Sequence, residues 1–118
     1  MESEITQVNP VSRAGVLRIL REALPELRER YGVTRLALYG SFAHGRPARD
    51  SDVDLLVESE RPLGLEFVEL VCELEEKLGR RVGMATFDTL NRSLEHPRRR
   101  EIAQEIQRTL INVETAPG

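Results

Sequence analysis

Four residues carry the chemistry that can be read from this chain: Gly40-Ser41 and, after ten intervening residues, Asp52 and Asp54. Gly40-Ser41 follows the apolar run Leu36-Ala37-Leu38-Tyr39, so a tight turn there can present backbone N–H groups and a hydroxyl to a phosphate. Asp52 and Asp54 head the run Leu55-Leu56-Val57. On a strand, positions i and i+2 face the same way with Cα atoms roughly 6–7 Å apart. Carboxylates that close repel each other and call for a cation. An oxygen-only ligand set suits Mg²⁺, and Mg²⁺ suits a nucleotide's phosphates. A phosphate turn joined to a metal strand predicts phosphoryl or nucleotidyl transfer.

Two other motifs come close and fail. The segment from Gly40 to Arg46 resembles a P-loop, but Arg46 stands in place of its lysine and Pro47 in place of its metal-binding hydroxyl. Asp50, Asp52 and Asp54 imitate the start of an EF-hand loop. Leu55 then falls where that loop needs glycine, and Arg61 where it needs glutamate.

The elements that must position these residues follow from periodicity. Val16, Leu17, Leu20, Leu24, Leu27 and Tyr31 recur at helical spacing, with Ser12 as N-cap and Gly32 as C-cap. Pro25 inside that pattern predicts a kink or two short helices. Strands are predicted over 34–39 and 52–58, with a short helix from Ser41 between them. Asp52, Asp54 and Leu56 would share one face of the second strand, and Val53, Leu55 and Val57 the other. Phe67, Leu70, Val71, Leu74 and Leu78 mark an amphipathic helix closed by Gly79, which takes in Cys72 as a small packing residue. A third strand is predicted over 81–87, then a last helix from near Pro97 with Ile102, Ile106 and Leu110 facing inward. Helices alternating with strands give an α/β (α+β) domain, a small mixed sheet of three or more strands packed with helices. One domain is expected over 11–113, preceded by a flexible arm at 1–10. The chain should fray from Asn112 into a tail at 114–118.

Composition narrows the partners. In 118 residues the net charge is −3 and only 4% are aromatic, which argues against a duplex-DNA binder and against a base-stacking RNA platform. No apolar run reaches membrane-spanning length. A single cysteine and an acidic start, Met1-Glu2-Ser3-Glu4, lead us to expect a cytoplasmic protein. Arg98-Arg99-Arg100 at the head of the last helix opposes the helix dipole; a docking surface and a solvated face beside Glu95 and Glu101 both remain open.

The spacing Gly-Ser, ten residues, Asp-Val-Asp resembles the nucleotidyltransferase superfamily that includes DNA polymerase β. The short chain and the turn Gly40-Ser41-Phe42-Ala43-His44-Gly45 are similar to its minimal bacterial and archaeal members. The resemblance implies that Gly40 and Ser41 hold the phosphates of ATP or another nucleoside triphosphate. His44 and Arg46 in and beside the turn are candidates for further phosphate contacts, with plain solvated surface residues as the alternative. It implies that Asp52 and Asp54 are catalytic and hold two Mg²⁺ ions. It also implies transfer of a nucleoside monophosphate to an acceptor hydroxyl, and an antitoxin role beside a HEPN-domain toxin, leaving homo- and hetero-oligomers open. One part of the family pattern is missing. Its third-strand aspartate, which completes the metal site, falls at Gly83 in Arg81-Val82-Gly83-Met84. Asp88, five residues further, would lie roughly 17 Å along an extended strand. A catalytically degenerate, nucleotide- or partner-binding version of the family is therefore the alternative.

Overall fold

The computed structural model describes residues 12–45 and 51–114. Helix α1 (Arg13–Tyr31) leads into strand β1 (Val33–Tyr39), and strand β2 (Val53–Ser59) follows. Helix α2 (Glu66–Leu78) then crosses over to strand β3 (Val82–Thr86). Helices α3 (Phe87–Leu94) and α4 (Arg100–Thr109) and the short strand β4 (Ile111–Asn112) complete the chain. The sheet order is β3-β2-β1-β4, with β1 antiparallel to both β2 and β4 and β2 parallel to β3. The parallel pair is possible because α2 carries the chain back over the sheet.

Strand alternation sorts the side chains into two cores. Leu36, Leu38, Val53, Leu55 and Val57 pack against Val16, Leu20, Leu24 and Leu27 of α1 and Leu70, Leu74 and Leu78 of α2. Ala37 and Leu56 point the other way, onto Phe87 and Leu90 of α3 and Ala103 of α4. Each fully buried leucine contributes roughly 1.5–3 kcal/mol relative to exposure, so the α1/α2 side supplies most of the apolar stabilisation.

Several expectations are corrected. Pro25 does not divide α1, which runs as one helix of 19 residues. Pro25 and Arg21 are both exposed, so the carbonyl that proline leaves unbonded faces water, while Leu24 and Leu27 hold the other side in the core. Residues 40–45 form hydrogen-bonded turns in place of the short helix expected from Ser41. Cys72 is exposed on α2, because the buried stripe is Leu70, Leu74 and Leu78. The third strand ends at Thr86, whose hydroxyl accepts from the Thr89 N–H at 3.0 Å and starts α3. The last helix begins at Arg100, after a turn tied to the His96 carbonyl by the amides of Arg99 and Arg100. Ile102 is 68% exposed; the inward face starts instead at Ala103 and continues through Ile106 and Leu110. The chain does not fray at Asn112, which pairs with Ala37, and the buried Val113 donates its N–H to the Leu36 carbonyl at 2.8 Å. The arm at 1–10, Arg46, Asp50 and the tail beyond Glu114 lie outside the described residues.

Candidate active site

β1 ends where Gly40 takes φ +77°, a left-handed conformation that favours glycine. The following turn is closed by the His44 N–H to the Gly40 carbonyl and the Gly45 N–H to the Phe42 carbonyl, each at 3.1 Å. Phe42, 0% exposed, anchors it in the α1/α2 core beside the buried Ala43, and Arg13 Nη1 donates to the Ala43 carbonyl at 2.9 Å. Ser41 is half-buried and His44 exposed at the rim.

Asp54 sits on β2 in register with Tyr39 on β1 and Gly83 on β3. Its carboxylate is held between two glycines. A Cβ at Gly40 would lie 2.4 Å from Asp54 Oδ2, and one at Gly83 would lie 3.0 Å from Oδ1. Asp52 precedes the strand and is exposed. Burial, and then the neighbouring Asp52 charge, raise the Asp54 pKa above the ordinary carboxylate value. Burial and the Asp54 charge likewise raise the Tyr39 phenol. An anion pushed toward its neutral form by a second anion is a place where a cation would be stabilising.

The expected gap in the site is real. Gly83 stands directly beside Asp54, and no side chain of β3 adds a carboxylate there. Asp88 is not on an extended strand; it lies in the first turn of α3 and pairs with Arg92 at 3.3 Å. Among the described residues no three His, Cys, Asp or Glu side chains gather as a metal cage. Two carboxylates fit a hard divalent cation that keeps water and phosphate oxygens as its remaining ligands.

On the Asp54 face, a cavity of about 300 Å³ opens alongside, lined by Tyr39, Leu56, Ala85, Leu90, Ala103 and Ile106. A larger one of about 780 Å³ lies at the far ends of β2 and β3, around Ser59 and Thr86, and includes none of the motif residues. The cavity of about 300 Å³ is the one of the two that lies on the Asp54 face, beside Tyr39.

A family model described as a nucleotidyltransferase domain matches residues 20–109. The chain belongs to the nucleotidyltransferase family. This nucleotidyltransferase is 40% identical over 85 residues to a protein adenylyltransferase, MntA, of Thermococcus cleftensis, covering 71% of this chain and 86% of that one. A Methanocaldococcus jannaschii chain described as a protein adenylyltransferase is 33% identical over 101 residues, covering 83% and 94%. Among solved structures, a minimal nucleotidyltransferase superposes with a TM-score of 0.61 at 35% identity, over 85% of this chain and 94% of that one. A chain of the MntA-HpeT toxin-antitoxin complex gives 0.55 at 16% identity, over 91% and 75%, a likeness of fold.

The nucleotidyltransferase fold thus brings Gly40, Ser41, Asp52 and Asp54 to one end of the sheet. His44 stays at the edge of that group. Sequence reasoning missed Tyr39, Arg13 and Arg80 as neighbours of the site. Tyr39 was legible, since it lies two residues after Ala37 and shares its face; the two arginines come from distant elements and leave no local signal.

Proposed function

We propose that this nucleotidyltransferase binds a Mg²⁺–nucleoside triphosphate, ATP foremost, and transfers the nucleoside monophosphate to a hydroxyl of a protein acceptor. The observation that carries this is the Asp54 carboxylate, half-buried, wedged between Gly40 and Gly83 and raised in pKa by burial and by Asp52. Gly40 and Ser41 would cradle the terminal phosphates through turn amides and a hydroxyl, and Asp52 and Asp54 would hold the metal. His44 would add a phosphate contact at the rim, and Arg46 is proposed as a further phosphate contact. Bound Mg²⁺ supplies charge neutralisation at the reacting phosphate and the departing pyrophosphate. In the transfer the acceptor oxygen bonds to the α-phosphorus, the α–β anhydride bond breaks and pyrophosphate leaves. The hydroxyl proton goes to solvent, because Gly83 offers no base. The protein adenylyltransferase relatives favour AMP as the group moved. The MntA-HpeT complex favours a toxin, which we take to be HEPN-type, as acceptor and partner, with this chain as its antitoxin in the cytoplasm.

The test is incubation with α-labelled ATP, Mg²⁺ and the protein encoded beside this chain. Label on that protein is the expected result; no transfer under conditions where a known adenylyltransferase works would overturn the reading.

Gly83 favours a second reading, a member of the family that binds nucleotide or partner without turnover. A missing general base costs on the order of 10²–10⁴ in rate. Gly83→Asp discriminates between the two. A gain of that size from an inert parent supports the binding module, and transfer by the unmodified chain contradicts it.

A further inference from the structure

Arg80 lies between Gly79, the left-handed cap of α2, and the first residue of β3, and it touches both halves of the site. Its Cζ stands 5.3 Å from the centroid of the Phe42 ring, and its Nη1 donates to the Ser51 carbonyl at 3.1 Å. Phe42 is two residues beyond Gly40 and is the buried anchor of the phosphate turn. Ser51 immediately precedes Asp52, so its carbonyl belongs to the peptide that aims the first carboxylate. The next backbone contact, Val53 N–H to the Arg81 carbonyl at 2.9 Å, opens the β2–β3 pairing. Arg80 thus adds a side-chain rung below that ladder and reaches across to the turn.

We infer that Arg80 is a positioning residue that fixes the phosphate turn relative to the Asp52/Asp54 strand. The inference rests on the nucleotide-binding reading above for its consequence, though not for its geometry. An arginine is suited to the task because its planar guanidinium stacks on a ring while an edge N–H donates in plane. Lysine keeps the charge and a donor but lacks the planar face that stacks on the ring. Arg13 also holds the turn, through the Ala43 carbonyl, so losing Arg80 loosens the turn relative to the strand without freeing it altogether. Displacements near 1 Å are enough to matter, since they cost on the order of 10²-fold in reactions that depend on orientation.

The experiment uses the full chain with Arg80→Gln and Arg80→Lys, and Arg61→Gln as a remote control; Arg61 bonds Glu66 and the Arg30 carbonyl at the far end of the sheet. Amide hydrogen exchange is read at His44, Gly45 and Val53, together with Mg²⁺–ATP binding by calorimetry and Tm. Arg80→Gln should speed exchange at those three amides selectively and weaken Mg²⁺–ATP binding by about tenfold or more, the order seen when a group that orients metal ligands is lost. Arg80→Lys should recover part of both, and Arg61→Gln should change neither. Unchanged local exchange overturns the inference, as does a uniform rise in exchange across the chain. If the parent binds no Mg²⁺–ATP, the nucleotide reading fails, while the exchange arm still decides whether Arg80 couples turn to strand.

Discussion

Gly40→Ala is the sharpest perturbation of this site because the structure separates its two effects. The first is backbone strain. At φ +77° an alanine carries a left-handed penalty of about 1–2 kcal/mol. For a domain near 100 residues that lowers Tm by roughly 4–12 °C, taking about 4–6 °C per kcal/mol. The second effect is steric and local. The new Cβ would sit 2.4 Å from Asp54 Oδ2, far inside contact distance, so the carboxylate must swing away. Gly64 supplies the control, for it has φ +56° and nothing within 4 Å of its would-be Cβ. Gly64→Ala should show the strain alone, with a similar fall in Tm and unchanged Mg²⁺–ATP binding. Gly40→Ala should show that fall and, in addition, weaken Mg²⁺–ATP binding by about 10–100-fold, the order seen when the groups that orient a metal ligand are disturbed. Differential scanning calorimetry and isothermal titration read the two effects separately. Equal nucleotide affinity in the two variants would refute the claim that Gly40 is kept open for the Asp54 carboxylate.

Other expectations follow from single contacts. Asp54→Asn should abolish Mg²⁺–ATP binding yet raise the Tm of the metal-free protein at neutral pH, because burial and Asp52 both disfavour the charge it removes. The sign of the pH dependence is set by the same shift. With the native pKa above the unfolded one, Asp54 contributes stability below the unfolded value that is lost as pH rises through the native value. Tm against pH for the parent and Asp54→Asn should therefore diverge across that window, and parallel curves would contradict the assignment. Val113→Ala removes two buried methyl groups and should destabilise by about 1.5–3 kcal/mol in urea unfolding, whereas a frayed tail would show no change.

The parts of the fold legible in the sequence are those whose pattern is local. α1 announces itself through six apolar residues at helical spacing between Ser12 and Gly32, both of which serve as caps. The two faces of β2 follow from alternation alone, so Asp54 and Leu56 separate from Val53, Leu55 and Val57 before any partner strand is known. What was hidden depends on tertiary contacts. Met84-Ala85-Thr86-Phe87 reads as continuing strand, and only the Thr86 hydroxyl on the Thr89 amide turns it into a helix start. β4 is two residues long and owes its order to the β1 edge and to the pocket that buries Val113. Ile102 and Ala103 differ by one position, about 100° around the helix, and it is the smaller one that turns into the cluster with Ala37, Leu56, Phe87 and Leu90. At the site, the motif named Gly40, Ser41, Asp52 and Asp54, and the family resemblance put Gly83 where the third carboxylate belongs; that Gly83 pairs with Asp54 is seen only in the sheet. The packing of Asp54 between Gly40 and Gly83 had no one-dimensional signature.

In the proposed function, the turn at Gly40-Ser41 and the carboxylates of Asp52 and Asp54 form one metal-dependent nucleotide site. Calorimetric titration of ATP into the full chain, with Mg²⁺ and with EDTA, tests it most directly when repeated on Asp52→Asn and Asp54→Asn. Binding should require Mg²⁺ in the parent and be lost in both variants. Binding that persists in EDTA, or survives both substitutions unchanged, would contradict it.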